Sequence, residues 1–270
     1  MMRTRVITAL LLAPLAICAV LLLPTAWFVA LVAAVFLFGL WEYTRLADVA
    51  EPVARGVLVL ANAAVIAAIA WASRGNTALL TMATLLGALW WVLAFVWLLR
   101  FDFASRDTTW ARMLKLGAGS LCVIPAWCAL ALLHSESPRW ALVALASIWA
   151  ADSAAYFAGR FLGRRKLAPR ISPGKTWAGV WGGLAGCILI ALAFAMILGI
   201  ETSYLLLALL AAVAGAFSVV GDLFESLIKR HSGIKDSGSI LPGHGGILDR
   251  IDGILAALPV FVVLKGLLGL

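Results

Sequence analysis

The sequence predicts an all-α, polytopic integral membrane protein, and three observations carry that prediction. Hydrophobic residues make up 64% of the chain and charged residues 13%, with a mean hydropathy of +1.06, whereas a soluble domain carries about 25% charged residues. The apolar residues gather into runs long enough to cross hydrocarbon, which takes roughly 17–25 residues as a helix. Those runs lack the period-2 alternation of barrel strands, and backbone in lipid must satisfy its own hydrogen bonds, so they read as helices.

In chain order the runs lie at about residues 6–23, 26–40, 56–72, 77–99, 116–133, 140–158, 177–199, 204–224 and 254–269, giving about nine transmembrane helices. The first follows Arg3 and Arg5 as a signal peptide would, but Ile17 before Cys18 is too large for a lipoprotein cleavage site, so it reads as an uncleaved helix. Pro14 and Pro125 are tolerable kinks inside spans. The organisation is one membrane domain, with amino-terminal helices over residues 1–115 and carboxy-terminal helices with cytoplasmic catalytic loops over residues 116–270. Cys18, Cys122, Cys128 and Cys187 all sit in apolar runs and read as small buried hydrophobes. Trp27, Trp41, Trp71, Trp110, Trp140 and Trp177 fall near span ends and read as interfacial anchors.

Orientation follows from the basic residues. With nine spans, 18 of the 21 Lys and Arg fall on the side of the amino terminus, two (Arg74 and Arg139) on the other, and Lys265 lies near the end of the last helix. Basic loops stay in the cytoplasm, so the amino terminus is predicted to be cytoplasmic. The formal net charge of +8 is therefore topogenic, and no nucleic-acid partner is expected.

Two cytoplasmic stretches carry the polar chemistry. In the first, residues 149–183, Asp152 sits in or at the end of an apolar helix, where an ionisable group is costly unless it pairs, binds a cation or meets water. Asp152, Tyr156 and Arg160 share a helical face at i, i+4 and i+8. The run Ser172-Pro173-Gly174-Lys175-Thr176 invites comparison with a P-loop, but Pro169 stands where the first glycine belongs and no strand is expected before it. Ser172, Lys175 and Thr176 still precede a helix start near Trp177, a place that favours phosphate or, more simply, a helix cap.

The second stretch, residues 221–253, is dense in acids, bases, glycine and His. Asp222, Glu225, Ser226 and Lys229 share one helical face, and Asp249 and Asp252 are i and i+3 on the returning helix. Two carboxylate-bearing helix ends joined by a Gly-rich loop suit Mg²⁺ with phosphate oxygens completing its shell. Lys229, Arg230, Lys235 and Arg250 match a polyphosphate in charge. Gly243, Gly245 and Gly246 flank His244, which is suited to a proton shuttle or to a phosphate hydrogen bond.

The segment 226–252, SLIKRHSGIKDSGSILPGHGGILDRID, resembles the signature of the phosphatidate cytidylyltransferases, with Lys229-Arg230, Lys235-Asp236, His244-Gly245-Gly246 and Asp249-Arg250-x-Asp252 in register. The SPGKT run and the pattern WxxDxxAYxxGRxxG over residues 149–163 resemble the same family. The likeness implies that CTP and phosphatidate give CDP-diacylglycerol and pyrophosphate with Mg²⁺, a second cation being left open. It also implies a homodimer, a cleft open to lipid and, for a bacterial chain, the cytoplasmic membrane with the site facing the cytoplasm. The metal ligands it implies are Asp222 and Asp249, which with Lys235 and Asp236 form the catalytic set. The substrate-binding set is Ser172, Lys175, Thr176, Lys229, Arg230, His244, Gly245, Gly246, Arg250 and Asp152. Family members often carry an acidic or amide residue where this chain has Ala178, so no ligand role passes to that position.

Three rival readings fit the sequence less well. A polyprenol or diacylglycerol kinase would use similar loops with ATP. A secondary transporter would favour midplane charges and broken helices rather than polar cytoplasmic loops. A CDP-alcohol phosphotransferase would need a DGxxAR run, and Asp252-Gly253 is followed by Ile254, Leu255, Ala256 and Ala257.

Overall fold

The computed structural model describes residues 13–234, 237–238 and 245–270. Among them nine α-helices occur, each overlapping one apolar run. The described part of α1 is Ala13–Leu22. It is followed by α2 Thr25–Leu46, α3 Pro52–Ala72, α4 Ala78–Leu98, α5 Thr109–Glu136 and α6 Pro138–Leu162, then by α7 Trp177–Ile197, α8 Tyr204–His231 and α9 Leu248–Leu267. Seven of these, α2 to α8, are long and apolar enough to cross a membrane. The protein is thus a polytopic all-α membrane protein.

Several helices outrun their apolar segments. Both α5 and α8 have 28 residues, about 42 Å at 1.5 Å per residue, against a hydrocarbon core of about 30 Å. A hydropathy reading stops where charged residues begin, but the helix continues through them. The last turns of α8, bearing Lys229, Arg230 and His231, therefore extend past what hydrocarbon can cover.

Burial sorts the helices into centre and rim. Helix α5 is buried along most of its length, and α9 buries a continuous series from Ile254 to Phe261. By contrast α3 buries only Asn62 and Ile66, leaving its apolar flank for lipid. Small residues allow the closest approaches, as expected where van der Waals packing replaces a hydrophobic drive between helices. A Cβ added at Gly182 or Gly186 of α7 would lie 2.2 Å from the Ala158 Cβ or 2.5 Å from the Ala154 Cβ of α6. Likewise a Cβ at Gly221 of α8 would lie 2.4 Å from the Asp252 carbonyl oxygen of α9. That backbone contact brings Asp222 and Asp252 to one level.

The sequence reading expected no strand, yet β1 Lys166–Ala168 and β2 Ser172–Thr176 form an antiparallel hairpin pairing Lys166 with Thr176 and Ala168 with Ser172. Strands of three and five residues containing Pro and Gly show no readable alternation. The SPGKT run is itself the second strand rather than a loop after one, so P-loop geometry remains absent. Two smaller expectations also change. Trp140 is buried with the Lys265 ammonium 4.9 Å from its ring, so it does not face lipid, and Cys18 is exposed while the other three cysteines are buried and free.

Candidate active site

A cleft of about 1010 Å³ opens among α6, the hairpin, α7, α8 and the start of α9. Each wall brings polar groups for a local reason. Thr176 ends β2 and its Oγ1 accepts the Gly179 N–H at 3.1 Å, capping α7 and fixing the strand-to-helix corner. The corner projects Lys175, whose Nζ pairs with Asp222 Oδ2 of α8. From α8, Lys229 Nζ reaches Asp249 Oδ1 of α9 at 2.8 Å and Glu225 Oε1 at 3.3 Å. Asp249 Oδ2 accepts the Gly246 N–H at 2.7 Å, and Gly245 holds the preceding turn at φ +79°, where a side chain would be strained. From α6 come Asp152 and the pair Tyr156 and Arg160, with Arg160 Nη1 donating to the Tyr156 hydroxyl at 2.8 Å.

Most residues expected in the site converge here: Asp152, Ser172, Lys175, Thr176, Asp222, Lys229, Gly245, Asp249 and Arg250 all line the cleft. Arg230 does not. Its Nε donates to the Ile171 carbonyl at 3.1 Å and so ties the hairpin to α8. Gly246 lies behind the wall as the donor to Asp249. Lys235, Asp236 and His244 lie outside the described residues. Four further lining residues, Tyr156, Arg160, Glu225 and Asp252, carry no individual role in the expected site set, though each shares a helical face with Asp152, Asp222 or Asp249. Their spacings of three, four and eight residues from those acids were the available signal. Glu42 was missed altogether, although a carboxylate at the end of an apolar run is itself a signal.

The electrostatics limit what the cleft can hold. Among the described residues, five carboxylates, Asp152, Asp222, Glu225, Asp249 and Asp252, face four cationic side chains, Arg160, Lys175, Lys229 and Arg250. Lys175 and Lys229 already pair with carboxylates. A triphosphate entering this cleft therefore meets little uncompensated positive charge, and added cation would restore the balance. Glu225 is the sharpest case: it is 3% exposed, and Lys229 meets its Oε1 as an ion pair at 3.3 Å. Among the described residues no group of three His, Cys, Asp or Glu is gathered as a ready-made metal site. The donor chemistry still fits Mg²⁺, which takes one or two carboxylates and completes its shell with water and phosphate oxygens.

The fold and cleft define a class: a polytopic membrane protein whose carboxy-terminal helices enclose a mixed-charge cleft. The chain matches the model of the Cytidylyltransferase family over residues 3–268 and belongs to that family. It is 44% identical to a phosphatidate cytidylyltransferase of Pseudomonas aeruginosa over 267 residues, covering 98% of this chain and 97% of that one. A phosphatidate cytidylyltransferase of Haemophilus influenzae is 34% identical over 281 residues, covering 97% of each. The protein of that name in Bacillus subtilis is 47% identical over 120 residues, 44% of this chain and 45% of that one.

Proposed function

We propose that this chain transfers CMP from CTP to phosphatidate, giving CDP-diacylglycerol and pyrophosphate. The observation that carries the reading is the convergence of Lys175, Asp222, Lys229, Asp249 and Arg250, from a hairpin and two helices, on one cleft in a member of this family. A phosphatidate oxygen attacks the α-phosphorus of CTP, the bond from that phosphorus to the bridging oxygen breaks, and pyrophosphate leaves with the electron pair. A phosphate monoester dianion is already a competent nucleophile, so no strong base is needed. The protein's task is to bring two anions together and steady the departing charge. Lys175 and Arg250 are placed to hold phosphate oxygens, Lys229 to keep the Asp249 carboxylate in position, and Arg160, steadied by Tyr156, to meet an anionic headgroup at the cleft's rim.

Mg²⁺ belongs to this reading, held by Asp222 and Asp249, with Glu225 and Asp252 within the same cleft. When bound it supplies charge neutralisation for the two reacting phosphates. Nine crossings with a cytoplasmic amino terminus, a site on the cytoplasmic side of a bacterial inner membrane and a homodimer complete the proposal. The 18-to-2 distribution of Lys and Arg supports the orientation. The deciding experiment gives purified protein α-phosphate-labelled CTP with phosphatidate, or γ-phosphate-labelled ATP with diacylglycerol, and follows lipid-soluble label. Label from CTP is expected; label from ATP alone would make the protein a lipid kinase.

A further inference from the structure

We infer that Glu42, far from the cleft in sequence, is a positioning residue for the nucleotide end of the site. The inference rests on the proposed assignment of Asp249 and Arg250 to nucleotide binding. Glu42 lies on α2 and is 4% exposed. Its Oε2 accepts the Leu248 backbone N–H at 2.8 Å and the Ser237 hydroxyl at 3.2 Å. Leu248 is the first residue of α9, and Ile247 before it offers no side-chain cap. A helix start leaves backbone N–H groups without intrahelical partners and favours negative charge. Glu42 meets both needs from a different helix, 206 residues away in sequence.

The same carboxylate shapes the turn before α9. A Cβ at Gly246 would lie 2.3 Å from Glu42 Oε2 and 2.2 Å from Ser237 Oγ, so the glycine backbone rests directly on the Glu42 carboxylate. On its other side Gly246 donates its N–H to Asp249 Oδ2. Gly246 is thus held between two carboxylates, one buried in the amino-terminal half and one lining the cleft. Gly238 packs on Glu42 as well, where an added Cβ would lie 2.2 Å from Oε1. Burying a carboxylate in a helix bundle is unfavourable unless it is hydrogen-bonded, and among the described residues Glu42 Oε1 has no hydrogen-bond donor. A leucine would fill the space without that penalty. What a leucine lacks is the acceptor that fixes Leu248, Ser237 and, through Gly246, the direction in which Asp249 and Arg250 point.

The test is steady-state kinetics of detergent-purified variants, with the folded fraction measured by thermal melting. Misplacing a reacting group by about 1 Å costs up to about 10²-fold, so Glu42→Ala is expected to raise the CTP KM about 10-fold and lower kcat about 10-fold, with the phosphatidate KM changed less than about twofold. Glu42→Gln keeps an acceptor oxygen for Leu248 and is expected to recover both parameters to within about threefold of the parent. Should Glu42→Ala not fold, Ser237→Ala removes one donor and is expected to raise the CTP KM about threefold. An unchanged CTP KM, with kcat falling only as the folded fraction falls, overturns the inference, as does a change confined to the phosphatidate KM. Full activity of Asp249→Asn would instead sink the assignment of the cleft, so the two failures are distinguishable.

Discussion

Asp249 offers the most direct test of the site, because its two oxygens have different jobs. Oδ1 accepts from Lys229 Nζ at 2.8 Å and Oδ2 from the Gly246 N–H at 2.7 Å. Asn has nearly the same shape but one acceptor oxygen, so Asp249→Asn must face one of these donors with an amide that also donates. A hydrogen bond involving a charged group contributes about 1.5–3 kcal/mol, and the Asp249 side chain is only 11% exposed, so solvent screens little of it. Lys229 keeps Glu225 at 3.3 Å and is not stranded, which puts the stability loss near the lower end, about 1.5 kcal/mol. That is small beside the packing of the bundle, and the variant should insert and purify as a folded protein. Turnover should fall far more, about 10²–10³-fold, the scale seen when one preorganised electrostatic group is removed from a transition state. The assay is incorporation of label from CTP into phosphatidate-derived lipid, normalised to folded protein from a thermal melt. Activity within about threefold of the parent in a folded Asp249→Asn protein would remove Asp249 from the site and refute the reasoning.

Further outcomes follow from the same contacts. Lys175→Met removes the cation beside Asp222 and should raise the CTP KM about 10-fold with little effect on melting temperature, as measured by initial rates against CTP. Gly221→Ala sets a Cβ 2.4 Å from the Asp252 carbonyl oxygen, and should destabilise the protein by about 1–3 kcal/mol in thermal melts by spreading α8 from α9. Its kcat per folded molecule should also fall; unchanged kcat would show that the α8–α9 spacing does not set the site. Thr176→Val deletes the α7 cap and should destabilise by about 0.5–2 kcal/mol, read as a lower melting temperature. Chelation of divalent cations should abolish label transfer and added Mg²⁺ restore it, while activity that persists in excess chelator would exclude the metal from the reaction.

How the site was legible, and where not, can be read from particular residues. Asp222, Lys229 and Asp249 announced themselves because charge beside an apolar run needs a compensating partner, and the i and i+7 spacing of Asp222 and Lys229, like the i and i+3 spacing of Asp249 and Asp252, fixes a common face of each helix whatever the tertiary packing. Arg230 carried the same signal but turned to the hairpin backbone at Ile171, a choice set by an element too short to read in advance. The hairpin itself was hidden because its two strands have no internal periodicity and form only because each pairs with the other.

The sequence alone determined the class of solvent, the order and approximate extent of the helices, and the stretches in which chemistry must lie. These depend on composition and on spacings within single helices, which are local properties. Tertiary structure alone decided which charge meets which: Lys175 with Asp222, Lys229 with Asp249, and Glu42 with the start of α9. Those pairings join residues 20 to 206 positions apart. They depend on how closely Gly221, Gly182 and Gly186 let neighbouring helices approach. No local pattern encodes that distance, because it is a property of two surfaces meeting rather than of either one.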